Sequence, residues 1–369
     1  MAQSNLFSPV TIPTRSGAGM TLANRVTLAP MCQYAIPARD GVPVTWQLVH
    51  LGSMAHGGFA LLHTEATAIS PEGRISDQDA GIWNTEQEQA WAKVVDYVHQ
   101  HGTKISIQLA HAGAKASTYP WLPAQNEAKQ VGSIPLDEGG WQTITSTDSE
   151  LYQLAPAQEM STEQIQRSLR SWAAAAQRAH EAGFDALQIH AAHGYLIHQF
   201  LSPLSNSRTD EYGGSYANRT RYLKEVVAAI AEVWPAEKVL AIRLSGEDWV
   251  SEGWRIADTV QLAGELYEQG VRAFDISSAG IGAFHGPSGP GYQVPLATAV
   301  KEALPDDAFV TAVGGITHPL QAEQIIVTGQ ADGVSIGRAA LGDPQWANRA
   351  AEQLGAPRSN PQQYWRGRW

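Results

Sequence analysis

Cysteine, positive charge and long apolar runs are all scarce in this chain of 369 residues. The single cysteine, Cys32, excludes an intramolecular disulfide, a four-cysteine iron–sulfur cluster and a zinc ribbon. Lysine and arginine number 25 against 36 aspartate and glutamate residues, and the net charge of −11 argues against a nucleic-acid partner. No apolar run approaches the length that crosses a membrane, and the first residues lack the pattern of a signal peptide. We therefore expect a cytoplasmic protein without a membrane partner.

The chain does contain a regular alternation of short apolar runs and longer helical patterns. Candidate strands rich in valine, isoleucine and leucine occupy residues 26–30, 59–65, 104–109, 185–190, 238–244, 272–277, 308–312 and 332–336. Helical patterns lie near 45–56, 85–101, 162–182, 218–234, 255–269, 296–303, 318–328 and 338–353. Because parallel strands need crossover helices, eight such units predict a closed (β/α)8 barrel, the TIM barrel, in a single domain over residues 1–369.

A doubly wound open sheet is the alternative fold. It would usually carry a G-x-G-x-x-G turn after its first strand, where this chain has Met31-Cys32-Gln33-Tyr34. The nearest match, Gly280-Ile-Gly282, continues with Ala-Phe-His and fails the pattern. The barrel is therefore the predicted fold.

Two segments do not follow the repeat. Residues 113–158, after the third strand, are too long for an ordinary loop, and we predict an excursion that caps the mouth of the barrel. Residues 355–369 end in a cluster of aromatic and basic side chains: Tyr364, Trp365, Arg366, Arg368 and Trp369. Because tryptophan in water is unfavourable, we expect this tail to dock, on a neighbouring subunit.

Side chains at the carboxyl ends of barrel strands face the active site, and several here can carry chemistry. Gly314-Gly315 and Gly337-Arg338 follow the last two strands, where either a phosphate site or plain tight turns would place them. Arg243 lies inside an apolar strand and needs a negative partner, which is either Glu247 or Asp248 folding back or an anionic cofactor.

His190 ends the fourth strand, His193 follows it, and the pair allows three interpretations. Imidazoles are common metal ligands, but no third ligand follows at a recognisable spacing and H-E-x-x-H is missing. The other two interpretations make the histidines hydrogen-bond donors or a structural pair satisfied within the protein. Cys32 is either a small buried apolar residue or, given its place at a strand end, a functional one.

Longer motifs around these residues resemble the old yellow enzyme family of flavin-dependent ene-reductases. The motifs are His190-Ala-Ala-His193-Gly-Tyr195, residues 200–206 and 208–215, Asn24-Arg25, residues 30–34, residues 65–67, residues 108–113 and Gly337-Arg338. The resemblance runs from about Leu6 to the last residue. Cys32, Tyr34 and the tail are similar to the thermophilic-like class III subgroup, which includes xenobiotic reductases.

The resemblance implies a non-covalent FMN held on the barrel. The implied contacts to the isoalloxazine are Ala29, Pro30, Met31 and Cys32 along the ring, Ala66 at its edge, Gln108 at its pyrimidine part and Arg243 near N1. Gly314, Gly315, Gly337 and Arg338 would hold the phosphate. The thiol of Cys32 would tune the potential of the flavin.

The resemblance also implies an NADPH dehydrogenase, or ene-reductase, that works by ping-pong hydride transfer through flavin N5. NADPH or NADH would be the donor, and α,β-unsaturated carbonyls, with nitro compounds as a further class, the acceptors. His190 and His193 would hold the carbonyl oxygen and Tyr195 would supply a proton. Tyr34 would contact the substrate, and Arg366 or Arg368 would enter the site from a neighbouring subunit of a homodimer or homotetramer.

Two other functions stay open at this point. One is a metal-dependent lyase or hydrolase on the same barrel that uses His190 and His193. The other is a flavin-binding sensor without turnover.

Overall fold

The computed structural model describes residues 4–148, 152–364 and 366–367. Its strands are β1 (Val10–Pro13), β2 (Gly19–Leu22), β3 (Val26–Leu28), β4 (Leu61–Ala68), β5 (Lys104–Ala110), β6 (Ile144–Thr145), β7 (Gln158–Glu159), β8 (Ala186–Ala191), β9 (Val239–Ser245), β10 (Ala273–Ser277), β11 (Phe309–Val313) and β12 (Gly333–Ile336). Its helices are α1 (Thr45–His56), α2 (Thr85–Gln100), α3 (Pro123–Glu127), α4 (Thr162–Glu181), α5 (Leu196–Leu201), α6 (Tyr216–Arg219), α7 (Arg221–Val233), α8 (Ile256–Glu268), α9 (Val294–Ala303), α10 (Pro319–Val327), α11 (Arg338–Gly342) and α12 (Trp346–Gln353).

The predicted barrel is confirmed. Strands β3, β4, β5, β8, β9, β10, β11 and β12 pair in parallel, and β12 pairs back onto β3 to close the ring. Every one of these strands overlaps a predicted strand. Helices lie between successive strands, as a parallel barrel requires. The carboxyl ends of all eight strands therefore open at one end of the barrel, called the mouth below.

Two predicted helices are each divided in the structure. The pattern at 218–234 forms α6 and α7, which meet at Thr220. The pattern at 338–353 forms α11 and α12, with Pro344 between them. Proline has no backbone N–H and its ring clashes with the preceding turn, so a continuous helix through Pro344 is excluded.

A hairpin that the strand pattern did not predict closes the other end of the barrel. Strands β1 and β2 pair antiparallel, and Ile12, Met20 and Leu22 form an apolar cluster with residues at the beginnings of barrel strands, such as Leu61 and Phe309. These contacts close the barrel at the amino ends of its strands, so the interior of the barrel is accessible from the mouth.

The excursion over residues 113–158 contains α3 and β6, and β6 pairs in parallel with β7. It is tied to the segment that follows β8. Ser146 donates through Oγ to the carbonyl oxygens of Gln199 and Ser205, at 2.8 Å and 2.7 Å, and Arg208 donates to the carbonyl of Ser146 at 2.8 Å. Within the described helices, none combines the length and apolar composition that a bilayer crossing requires.

Candidate active site

A cavity of about 600 Å³ at the mouth contains most of the residues predicted to bind a cofactor. The predicted residues that line it are Ala29, Pro30, Met31, Arg243, Gly314, Gly315, Gly337 and Arg338. They come from the ends of β3, β11 and β12 and from within β9. The volume lies within the range of roughly 300–1,000 Å³ that is usual for small-molecule sites.

The lining of this cavity favours a ligand that carries negative charge. It includes two arginines, Arg243 and Arg338, and no carboxylate among the described residues. Ser335 also lines it, and the buried Oγ of Ser335 has no hydrogen-bond partner within the described part of the chain. A buried hydroxyl without a partner is costly, so a ligand that bonds it would be favoured.

A glycine turn after β11 forms one wall. Gly314 and Gly315 have φ angles of +107° and +65°, in the region that favours glycine. A Cβ on Gly314 would lie 2.4 Å from the side chain of Gln293, and one on Gly315 would lie 2.6 Å from the carbonyl oxygen of Gly289. The turn therefore favours glycine at both positions, and without side chains there a bound group can approach the backbone closely, as a phosphate cradle needs.

Neither Glu247 nor Asp248, one of the two alternatives that the sequence left open for Arg243, supplies its protein partner. Nε of Arg243 lies 3.1 Å from Oδ2 of Asp275, on the adjacent strand, in an ion pair without hydrogen-bond geometry. Thr311 donates to the other oxygen of Asp275 at 3.0 Å. The register of β9 against β10 pairs Arg243 with Asp275, and the period of two in strands places both side chains on the face that points into the barrel. The arginine thus has a protein counter-ion and still lines the cavity.

Asp248 has a different, structural partner. Its carboxylate lies 3.1 Å from Nε2 of His198 and accepts a hydrogen bond from Ser202 at 2.6 Å. The side chains of Asp248 and His198 are both fully buried. Desolvation opposes the charge of Asp248, but His198 and Ser202 outweigh it and lower the pKa of that carboxyl. The role of His198 is therefore structural and differs from that of His190 and His193.

Cys32 lies beside Ala66 and Tyr195 in a small apolar cluster, outside the lining of the large cavity. Burial, reinforced by the nearby carboxyls of Asp79 and Glu65, raises the pKa of the Cys32 thiol, so the sulfur keeps its proton. Tyr34, whose φ is +50°, acts on the pKa of the Cys32 thiol in the lowering direction, against the larger effect of burial. A protonated thiol can donate a hydrogen bond, as the predicted role requires.

Glu65 holds the loop that carries Cys32 and Tyr34. It is buried, and its two oxygens accept bonds from the backbone N–H of Gln33 at 3.2 Å and from the side chain of Gln47 at 3.0 Å. Burial raises the pKa of Glu65 to about 8, although the two bonds act in the opposite direction. In the sequence, Glu65 stands out only as part of the motif over residues 65–67, which indicates no separate role for it.

Gln108 lies inside the barrel at the end of a buried chain of polar groups. Its Nε2 donates to Oε1 of Gln188 at 2.7 Å, and Gln188 lies 3.3 Å from Nε2 of His63. The other ring nitrogen of His63 lies 2.9 Å from the carbonyl oxygen of Leu28. This chain fixes the orientation of the Gln108 amide before any ligand binds.

His190 is buried and neutral, with its available hydrogen on one identified nitrogen. Burial, together with the positive charges of Arg243 and Lys115, holds its pKa well below the ordinary value. The N–H of Ala192 donates to Nδ1 at 3.3 Å, so the ring hydrogen is on Nε2. No residue in the described part of the chain bonds that Nε2.

His193 is also neutral, and its ring lies at right angles to that of His190, 5.2 Å between centroids. Low-polarity surroundings, and then the charge of Arg243, hold its pKa well below the ordinary value even though it is only partly covered. Its Nε2 lies 2.7 Å from Oγ of Ser277, and its Nδ1 is bonded by no described residue. Each histidine therefore has one nitrogen engaged by the protein and one left for a ligand.

Tyr195 and Lys115 complete this side of the mouth. The Tyr195 ring lies edge-on to His190 at 5.0 Å, and Nζ of Lys115 lies 4.9 Å from its centroid. Although Tyr195 is only partly covered, its low-polarity surroundings and then Cys32 raise its pKa well above the ordinary value, so it stays a protonated phenol. Lys115 donates to the carbonyl of His193 at 2.8 Å, and burial lowers its pKa to about 8.

The tail does not bring Arg366 to this cavity. Tyr364 packs edge-on against His56, at the end of α1, and residues 359–363 line a groove with His101. These helix ends lead into β4 and β5, so the tail lies at the end of the barrel opposite the mouth. Trp365, Arg368 and Trp369 are outside the described residues.

Four residues of the site were not predicted, although the sequence contains a pattern that indicates them. Gln188, Ser245, Asp275 and Ser277 each lie two residues from another polar side chain in an otherwise apolar strand, as in Gln188 with His190. A spacing of two places both side chains on one face, and a polar face in a barrel strand points to the interior near the mouth. Lys115 has no such pattern around it.

Within the described residues, no group of three or more histidine, cysteine, aspartate or glutamate side chains is arranged to hold a metal ion. The His190 and His193 pair lacks a third ligand there.

Comparison with known proteins places this site in a family. Residues 5–356 match the NADH:flavin oxidoreductase / NADH oxidase family. The NADPH dehydrogenase of Bacillus subtilis (strain 168) is 42% identical over 367 residues, covering 98% of each chain. That of Listeria monocytogenes serotype 4a (strain HCC23) is 40% identical over 345 residues, covering 94% of this chain and 95% of the relative.

Solved structures agree on the fold. Morphinone reductase in complex with tetrahydroNAD superposes with a TM-score of 0.76 at 28% identity, covering 97% of this chain and 93% of its own. A 2-naphthoyl-CoA reductase superposes at 0.82 with 23% identity, and this chain spans 52% of it. The predicted resemblance to old yellow enzymes is confirmed. The chain belongs to the NADH:flavin oxidoreductase / NADH oxidase family and is an oxidoreductase that uses FMN and a nicotinamide nucleotide.

Proposed function

We propose that this FMN-dependent oxidoreductase reduces the activated C=C bond of α,β-unsaturated carbonyl compounds by a ping-pong reaction, and that nitro compounds are a further substrate class. The observation that carries the proposal is the histidine pair. His190 and His193 are neutral, their rings are 5.2 Å apart, and each has one ring nitrogen without a partner in the described part of the chain. Two such nitrogens suit a single carbonyl oxygen.

The residues at the mouth fit FMN. Arg338 and the Gly314–Gly315 turn would hold the phosphate, and Arg243 would lie beside the ring system. Ala29, Pro30, Met31, Cys32, Ala66 and Gln108, with Gly337, would form the remaining contacts. When bound, FMN supplies the hydride transfer between the nicotinamide nucleotide and the alkene.

The histidine pair binds and activates the substrate carbonyl. Charge grows on that oxygen as the β-carbon gains hydride, so hydrogen bonds to it become stronger in the transition state. Neutral donors suit this task because they stay protonated at the donating nitrogen across the physiological range. The depressed pKa values of both rings keep them neutral.

Tyr195 supplies the proton to the α-carbon, and Tyr34 contacts the substrate from the side of Cys32. The raised pKa of Tyr195 means that its hydroxyl carries a proton at neutral pH. The ammonium of Lys115, 4.9 Å from the Tyr195 ring, favours the phenolate that remains after transfer. Bulk solvent can then restore the proton, since Tyr195 is partly exposed.

A second copy of the chain completes the site. Arg366 lies away from the mouth of its own barrel, and the tail carries aromatic and basic side chains suited to a neighbouring surface. We propose a homodimer or homotetramer in which Arg366 enters the adjacent mouth. Arg368, in the same tail, is the alternative.

The change His190→Ala tests the proposed carbonyl site. Removing one oxyanion donor typically costs roughly 10²–10³ in rate, and we expect that loss in kcat/KM for cyclohexenone. The FMN content should be unchanged, because His190 does not line the large cavity. The measurements are steady-state kinetics, the ratio of FMN to protein, and the change in the flavin spectrum on titration with a phenol.

His99→Gln is the matched control, since His99 lies on α2 and pairs with Asp185 at the opposite end of the barrel. It should keep wild-type kinetics and phenol binding. Loss of FMN from His190→Ala, or wild-type enone kinetics in it, would contradict the assignment of the histidine pair.

A further inference from the structure

A serine at the end of β10 holds the ring of His193, which follows β8, two strands away in the barrel. Nε2 of His193 lies 2.7 Å from Oγ of Ser277, the last residue of β10, and Ser277 is only 4% exposed. Because a neutral imidazole has a single N–H, the direction of this bond decides what the other nitrogen can do. If His193 donates to Ser277, its Nδ1 is a bare acceptor that repels a carbonyl oxygen. If Ser277 donates, Nδ1 carries the hydrogen.

The surroundings of Ser277 decide between the two directions. Its other possible acceptor is Oε1 of Gln293, at 3.3 Å, and that oxygen already accepts a bond from Ser278 at 2.6 Å. The Gln293 amide cannot turn over, because its Nε2 donates to the carbonyl of Val313 at 3.1 Å. The nearer and less occupied acceptor for the Ser277 hydrogen is therefore Nε2 of His193.

The backbone of His193 is fixed independently of this bond. Its N–H donates to Oγ of Ser245 at 2.9 Å, and its carbonyl accepts from Lys115 at 2.8 Å. Its φ of +60° is held by close packing on Gly280, where a Cβ would lie 2.0 Å from the carbonyl carbon of His193. With the backbone locked, the tautomer is the main freedom that the ring has left.

His190 needs no such serine. The backbone N–H of Ala192 already donates to its Nδ1, which leaves the hydrogen on Nε2. For both rings to donate to the same oxygen, the His193 hydrogen must be on Nδ1. The two histidines thus require opposite tautomers, and only one of them is set by the backbone.

We infer that Ser277 is a positioning residue that donates its hydroxyl hydrogen to Nε2 of His193 and so keeps the Nδ1 hydrogen available to the substrate oxygen. The inference deepens the proposed function, on which the identity of that oxygen rests. The tautomer of His193 can be measured in the enzyme without substrate, so its test does not depend on which substrate the enzyme reduces.

The direct test is nitrogen NMR of the FMN-loaded enzyme labelled with ¹⁵N-histidine and free of substrate. Protonated and bare ring nitrogens have well-separated shifts, and the His193 signals are identified by their loss in His193→Gln. We expect a protonated Nδ1 and a bare Nε2 in the wild type. In Ser277→Ala the hydrogen should move, wholly or in part, to Nε2. A protonated Nε2 in the wild type, or an unchanged tautomer in Ser277→Ala, would overturn the inference.

Kinetics provide the second readout. Ser277→Ala should lower kcat/KM for cyclohexenone about 10-fold. This is less than the roughly 10²–10³ expected for loss of a donor, because the His193 ring can still adopt the tautomer that carries its hydrogen on Nδ1. Ser106→Ala is the control, since Ser106 is a buried barrel serine whose Oγ has no partner among the described residues. It should leave both the tautomer and the kinetics as in the wild type.

The two failures can be told apart. An enzyme with the expected tautomers but no enone reduction would contradict the proposed substrate and leave the role of Ser277 standing. Enone reduction with the opposite His193 tautomer would contradict the role of Ser277 alone. If Ser277→Ala does not bind FMN, Ser277→Thr is tested in its place. It keeps the hydroxyl, so it should show the wild-type tautomer if the hydrogen bond to Nε2 of His193 sets that tautomer.

Discussion

Replacing Tyr195 by phenylalanine should lower the rate of enone reduction roughly 10²–10⁴-fold, the usual contribution of a positioned general acid. The change removes only the hydroxyl, and the ring should keep its edge-on contact with His190 at 5.0 Å. Flavin reduction by NADPH transfers no proton from Tyr195, so that half of the reaction should be unaffected. Stopped-flow measurement of the two half-reactions under anaerobic conditions, in H₂O and D₂O, separates the steps.

Tyr152→Phe is the matched control for this change. Tyr152 also lies against Lys115, with Nζ 5.4 Å from its centroid, but its hydroxyl donates to the carbonyl of Gly194 at 3.1 Å. We expect a change of no more than a few-fold there. If Tyr195→Phe reduces enones as fast as the wild type, the proton comes from another group or from water.

Replacing Arg243 by methionine should lower the free energy of unfolding by about 3–5 kcal/mol, the usual effect of breaking a buried ion pair from one side. The carboxylate of Asp275 is 3% exposed and would be left with Thr311 as its remaining bonded neighbour. The FMN content should fall as well, since Arg243 is one of two cations that line the cavity. Denaturant unfolding of the FMN-loaded proteins, with the ratio of FMN to protein, measures both effects.

The double variant Arg243→Met with Asp275→Asn separates the two roles of the arginine. It removes the unpaired charge, so most of the lost stability should return while FMN binding stays weak. A double variant no more stable than Arg243→Met would show that the ion pair is not the cause. Full FMN affinity in either variant would contradict the placement of Arg243 beside the ring.

The sequence was sufficient for the barrel because each of its eight units repeats one physical signal. Apolar runs with a period suited to buried strands alternate with helical patterns, and glycines such as Gly102 and Gly183 end helices with φ of +71° and +93°. The hairpin of β1 and β2 was missed because each strand has four residues, too few for a clear alternation. Pro344 was a signal for the break between α11 and α12 that the periodic pattern concealed.

The candidate site could be predicted where neighbours in sequence are neighbours in space. His190 lies at the end of β8 and His193 and Tyr195 come directly after that strand, so their grouping was visible. The partner of Arg243 was not, because Asp275 is on the next strand and only the register of β9 against β10 brings the two together. The Ser277 contact to His193 was not visible either, because it joins the end of β10 to the loop after β8, two strands away in the barrel. The spacing of residues along a strand predicts the face on which each side chain lies. It does not predict how one strand is aligned with the next.

The central claim is most directly tested by one anaerobic spectroscopic titration of the FMN-loaded protein. The flavin absorbance should be lost on addition of NADPH and should return on addition of cyclohexenone, with one equivalent of saturated ketone formed for each FMN. If the absorbance is lost with NADPH but does not return with the enone, the chain is an NADPH oxidoreductase with another acceptor. That result would contradict the role proposed for His190, His193 and Tyr195.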